Sequence, residues 1–118
     1  GTSHQQMRKI ANTYNFKFYS KSYATLEDLK KWLKQDCPVI VDYQDYGKND
    51  GKNGHYCVVY GVDDNFLYLS DPANYIEGDN KKFSNNKKMT IEKFLERWWD
   101  EDEKENEINR WFVIIRPK

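Results

Sequence analysis

At 118 residues the chain can build one hydrophobic core but not two, so a single domain over residues 1–118 is expected. Its 19 Lys and Arg balance 19 Asp and Glu, which leaves no net field to steer it onto nucleic acid or an anionic membrane. Aromatic residues make up 16% of the sequence, too many for a disordered chain, and no apolar run approaches the roughly 20 residues that span a bilayer. Ser3 followed by Gln6 reads as a capping box, and Met7, Ile10, Ala11 and Tyr14 recur at helical spacing, predicting an amphipathic helix over about residues 4–14. Phe16 and Phe18 flank Lys17 as a short strand. Thr25 and Asp28 cap a second helix with the apolar face Leu26, Leu29, Trp32 and Leu33, and Pro38 follows its end. Val39–Tyr43 is a buried strand by its β-branched run. The stretch from Gln44 to Gly54 reads as a loop, either an ordinary surface loop or one wall of a substrate groove. Two strands, His55–Val62 and Phe66–Ser70, are joined by the turn Asp63-Asp64-Asn65. Residues beyond Pro72 read as a loop with a short strand at Lys81–Ser84. Thr90 then caps a third helix whose inner face is Ile91, Phe94, Leu95 and Trp98. Asp100–Asn109 reads as a solvated charged connection, and Trp111–Arg116 as a last strand. The order of elements implies an α+β domain with an antiparallel sheet.

Only two cysteines, Cys37 and Cys57, and two histidines are present, so neither a disulfide scaffold nor a metal site is expected, and no motif calls for a cofactor. His4, at a helix start, reads as a surface residue. Trp32, Trp98 and Trp111 read as core, whereas Trp99 points elsewhere on the helix, toward a partner or the missing segment.

The chemistry-bearing segment is Gly54-His55-Tyr56-Cys57-Val58-Val59-Tyr60-Gly61-Val62-Asp63-Asp64 and the Asp71-Pro72 that ends the following strand. In a hairpin with its turn at residues 63–65 and Val62 opposite Phe66, Val59 faces Leu69 and Cys57 faces Asp71. His55, Cys57, Val59 and Asp71 then share one face, with His55 one diagonal step, about 7 Å, from Asp71. A carboxylate beside an imidazole fixes its tautomer and stabilises its protonated form, leaving the second ring nitrogen to activate a nucleophile.

These residues resemble the bacteriocin-processing (double-glycine) peptidase-like family of the papain-like cysteine peptidases. The resemblance extends through Pro38-Val39-Ile40-Val41 and Phe94-Leu95-Glu96-Arg97-Trp98. It implies a papain-like α+β fold, a peptide or protein substrate, His55 as the catalytic histidine and Asp71 as its orienting carboxylate. It also implies that the nucleophilic cysteine opens a helix that precedes everything in this chain, just after an oxyanion-hole glutamine, because Gly1-Thr2-Ser3 matches the start of the family's second helix. The chain then lacks the N-terminal nucleophile helix and is inactive alone.

Neither visible thiol fits the nucleophile's place. Cys37 lies between a helix and a strand, away from His55. Cys57 sits inside a strand without a helix N-terminus to lower its pKa, and reads as a small core residue. A disulfide between them is not expected, since Cys57 pairs near Val41, about 13 Å along the strand from Cys37.

Three functional readings follow: hydrolysis of peptide bonds by a thiolate supplied from upstream, a catalytically inactive peptidase-like module that binds peptides or a transporter domain, and acyl transfer on the same groups. The resemblance places the protein in bacteria, with the cytoplasm slightly favoured. With a helix missing, the face of His55, Cys57 and Val59 is expected to lack a cover, and hence to self-associate or swap an element.

Overall fold

The predicted capping box at Ser3 and the predicted cap at Thr25 both form, the second also as a capping box. The computed structural model describes residues 3–44, 52, 54–70, 86–102 and 104–118. Helix α1 (His4–Thr13) starts where the Ser3 hydroxyl accepts from the Gln6 N–H and the Gln6 side chain accepts from the Ser3 N–H, at 3.1 and 2.8 Å. Helix α2 (Leu26–Leu33) starts in the same way with Thr25 and Asp28. Each reciprocal pair satisfies donors that a bare helix end leaves orphaned, a contribution of about 1 kcal/mol. Strand β1 (Phe16–Lys21) separates the helices, and β2 (Val39–Gln44), β3 (Gly54–Val62) and β4 (Phe66–Ser70) follow. Gln44 and Gly54 thus belong to strands, and of the predicted loop between them only Lys52 lies within the described residues.

Two elements differ from expectation. Strand β5 (Asn86–Thr90) pairs antiparallel with β4 in a stretch whose Asn-Lys-Lys composition reads as loop. It is an edge strand with one buried side chain, Met89, so little apolar patterning marks it. The Lys81–Ser84 strand lies outside the described residues. After α3 (Ile91–Arg97) the charged stretch forms a second small sheet, a hairpin of β6 (Trp99–Glu101) and β7 (Glu107–Asn109), in place of a solvated connection. Asp102 organises its turn, accepting from the N–H groups of Lys104 and Asn106. Strand β8 (Phe112–Pro117) closes the chain.

The main sheet runs β1-β8-β2-β3-β4-β5 with every pairing antiparallel. Val41 pairs with Cys57 and Val59 with Leu69, as the sequence predicts. A bulge between Val59 and Gly61 then sets Val62 opposite Leu67 instead of Phe66. Leu29 of α2 and Phe94 of α3 pack against Val39, Val41, Tyr43, Cys57, Val59, Leu67 and Leu69 on one face of this sheet.

That packing corrects one expectation. Val59 is 0% and Cys57 1% exposed, so the face they occupy is covered by the chain's own α2 and α3. The premise for self-association over the face of His55 and Val59 is therefore removed. Helix α1 packs on β1, with the Arg8 guanidinium 4.5 Å from the Phe18 ring centre. No helix among the described residues is long and apolar enough to cross a membrane.

Candidate active site

His55 is the second residue of β3 and the cross-strand partner of Tyr43, with their rings 6.2 Å apart. Alternation puts its side chain on the face of Cys57 and Val59, but at the strand's end, where that face runs out. There it is half-buried and lines a cleft of about 840 Å³, whose other walls come from the start of α1, from β2 and from the β6–β7 hairpin. The predicted partner, Asp71, lies outside the described residues. The strand leading to it holds the predicted register, Val58 opposite Ser70, up to its last described residue.

Both thiols are buried and unbridged. Cys57 Sγ donates to the Ser70 carbonyl at 3.2 Å inside the core, and Cys37 is 7% exposed at the end of the α2 turn. Among the described residues no group of three or more His, Cys, Asp or Glu could hold a metal ion.

The structure also assembles polar residues that sequence reasoning missed. His4 is not a surface residue. Its ring stacks on Trp111 at 3.5 Å and 7°, and its Nε2 lies 3.1 Å from Asp42 Oδ2, in place to donate to the carboxylate. Asp42 is inside a strand that reads as apolar, yet its side chain is only 4% exposed. It hydrogen-bonds Asp100, which the hairpin delivers from β6. Burial pushes the Asp42 carboxyl up to about 6. Burial pushes Asp100 up to about 7, aided by the hydrogen bond and charge of Asp42. Burial also holds His4 below its usual value, against the pull of the Asp100 charge. Tyr56, facing the same cleft, is pushed up first by burial and then by the Asp42 and Asp100 charges, so its phenol stays protonated. The only sequence signal for this group is parity: Asp42, Tyr56, Gln44 and Gly54 alternate with the core positions and so share the opposite face.

His55 borders the cleft at the end of a core strand, while Asp42 and Tyr56 line it from the opposite face of the sheet; an imidazole that reaches a substrate carbonyl from such a strand end can accept and return a proton during attack on it. Comparison with known proteins bears on the family and the fold. The sequence pattern of the Peptidase_C39 like family matches residues 1–105. Among solved structures, the peptidase domain of Streptococcus ComA, a bi-functional ABC transporter involved in a quorum sensing pathway, is similar with a TM-score of 0.62 and 21% identity. That likeness covers 100% of this chain and 69% of the ComA chain, and it shows the papain-like α+β fold. A comparison with curated proteins finds no match. On the family pattern that spans most of its length, from α1 to the hairpin, the chain belongs to the Peptidase_C39 like family.

Proposed function

We propose that this domain is the histidine-bearing part of a papain-like cysteine peptidase that hydrolyses peptide bonds. The observation that carries the reading is the place of His55: at the open end of a strand whose next inward residues, Cys57 and Val59, are sealed in the core. His55 is the general base and acid, and Asp71 orients its ring. The thiolate comes from a cysteine upstream of Gly1 in the parent protein. Burial of both thiols supports this, since a nucleophile needs access to a carbonyl and a setting that favours its thiolate.

The thiolate adds to the scissile carbonyl, and His55 passes the thiol's proton to the departing amine. The acyl-enzyme is then cleaved by water, whose proton returns to His55. The substrate is a peptide, and related peptidases suggest cleavage after small residues such as a double glycine. The likeness to a peptidase domain from Streptococcus supports a bacterial setting.

The test is to read the gene upstream of Gly1 and assay the product. A cysteine opening an apolar helix, with thiol-dependent cleavage of a double-glycine peptide, supports the reading. An upstream segment without such a cysteine, in a protein that still binds the peptide, would assign the chain to the inactive binding modules instead.

A further inference from the structure

A polar seam joins the β6–β7 hairpin to the strand that carries His55. Gln44, 0% exposed at the end of β2, donates from Nε2 to the Trp99 carbonyl at 3.3 Å and to Asp100 Oδ1 at 3.1 Å. The Gln44 backbone carbonyl accepts from Arg97 Nη1 at 3.3 Å. Gln44 is the cross-strand partner of Gly54, the residue before His55. The Asp100 carboxyl lies so close to Gly54 that a Cβ there would overlap it. The hairpin thus reaches the start of β3 through the Asp100 side chain.

That side chain also meets Asp42. The groups facing the pair are His4 from α1, Gln44 from β2 and Tyr56 from β3; Glu101, Asp102, Lys104 and His55 line the same cleft. No lysine or arginine among the described residues forms an ion pair with Asp42 or Asp100. Two carboxyls in hydrogen-bond contact and out of water cannot both ionise cheaply, so one proton stays between them while the contact lasts. A protonated Asp100 donates to Asp42, and Asp42 accepts a second hydrogen bond from His4.

We propose that Asp100, sharing a proton with Asp42, is a positioning residue for His55: it clamps the hairpin across the start of β3, and loss of the shared proton loosens that wall of the cleft. The geometry of the clamp is independent of chemistry, but its use in tuning a catalytic cleft rests on the peptidase reading of His55. The raised values of both carboxyls place the loosening near neutral pH, as pH rises.

The test is hydrogen exchange and amide NMR on the 118-residue chain between pH 6 and 8.5, in wild type, Asp100→Asn and Asp100→Ala. After correction for intrinsic exchange, protection of Trp99–Glu101 and Glu107–Asn109 should fall about tenfold or more over this range in wild type, the change expected for roughly one unit of proton linkage. The Gly54 and His55 amide resonances should move with the same midpoint. In Asp100→Asn the carboxamide donates to Asp42 at every pH, so protection should stay high and nearly flat. In Asp100→Ala it should be low throughout, while Val59 and Leu69 remain protected and so report an intact fold. The proposal is overturned if wild type and Asp100→Asn show the same pH profile, if the hairpin does not respond to pH, or if Gly54 and His55 stay still while the hairpin responds. No turnover is measured, so failure of the peptidase reading cannot be mistaken for failure of the clamp.

Discussion

Gly54 packs directly against the Asp100 carboxyl, with no room for a Cβ between them. Strand β3 begins at this contact, and His55 is the next residue. Gly54→Ala should therefore push the hairpin away and destabilise the domain by about 1–3 kcal/mol, the usual range for forced overpacking. Denaturant unfolding measures the loss. In Gly54→Ala/Asp100→Ala the overlap is gone, so the second substitution should cost less on the Gly54→Ala background than in wild type. Strict additivity would count against direct contact.

Stability should depend on pH with a definite sign. Asp42 and Asp100 titrate higher in the folded chain than the ordinary carboxylate range, so the folded state holds their protons more tightly than the unfolded state does. Their contribution is complete at or below about pH 4 and is lost as pH rises through about 6 and 7. His4, held low by burial, acts in the opposite sense, because its protonation as pH falls below its ordinary value disfavours the fold. With two carboxyls against one imidazole, Tm should fall by several degrees between pH 6 and 8.5. Asp42→Asn/Asp100→Asn should flatten this slope, and thermal scans at fixed ionic strength decide the matter.

Placement of His55 at the strand's end, and of Val59 in the core, separates two kinds of substitution. His55→Ala should change unfolding free energy by less than about 1 kcal/mol, whereas Val59→Ala and Leu69→Ala, each at a 0% exposed site, should cost about 2–4 kcal/mol. Comparable losses at all three positions would put His55 in the core and away from the cleft.

The thiols offer a further check. Cys57 lies 1% and Cys37 7% exposed, so both should react with a maleimide only as the chain opens, at rates that track global or local unfolding. Mass spectrometry of briefly labelled chain should find both sites unmodified. Fast labelling of Cys57 in the folded state would reopen it as a nucleophile.

The fold was legible where apolar period and capping agree. Ser3 with Gln6, Thr25 with Asp28, and the Val39 and Val58-Val59 runs each carry a local signal that the packed sheet reinforces. Strand β5 was not, since edge pairing to β4 asks for only one inward apolar residue. The β6–β7 hairpin was not, since its acidic residues read as solvated until the sheet brings Asp42 and Gln44 to meet Asp100. The place of His55 in β3, on the face of Cys57 and Val59, was legible from strand parity. His4 was not: nothing local to a helix start tells that Trp111, more than a hundred residues on, will stack against it.

The central claim is that His55 moves the proton for a thiolate supplied from upstream. The most direct measurement is the rate of cleavage of a double-glycine peptide by the parent protein, including the sequence that precedes Gly1, compared with its His55→Ala variant. Thiol-dependent cleavage should fall by about 10²–10⁴-fold in His55→Ala with the fold retained. Cleavage that is unchanged in His55→Ala, or that persists in the 118-residue chain after alkylation of both Cys37 and Cys57, would contradict it.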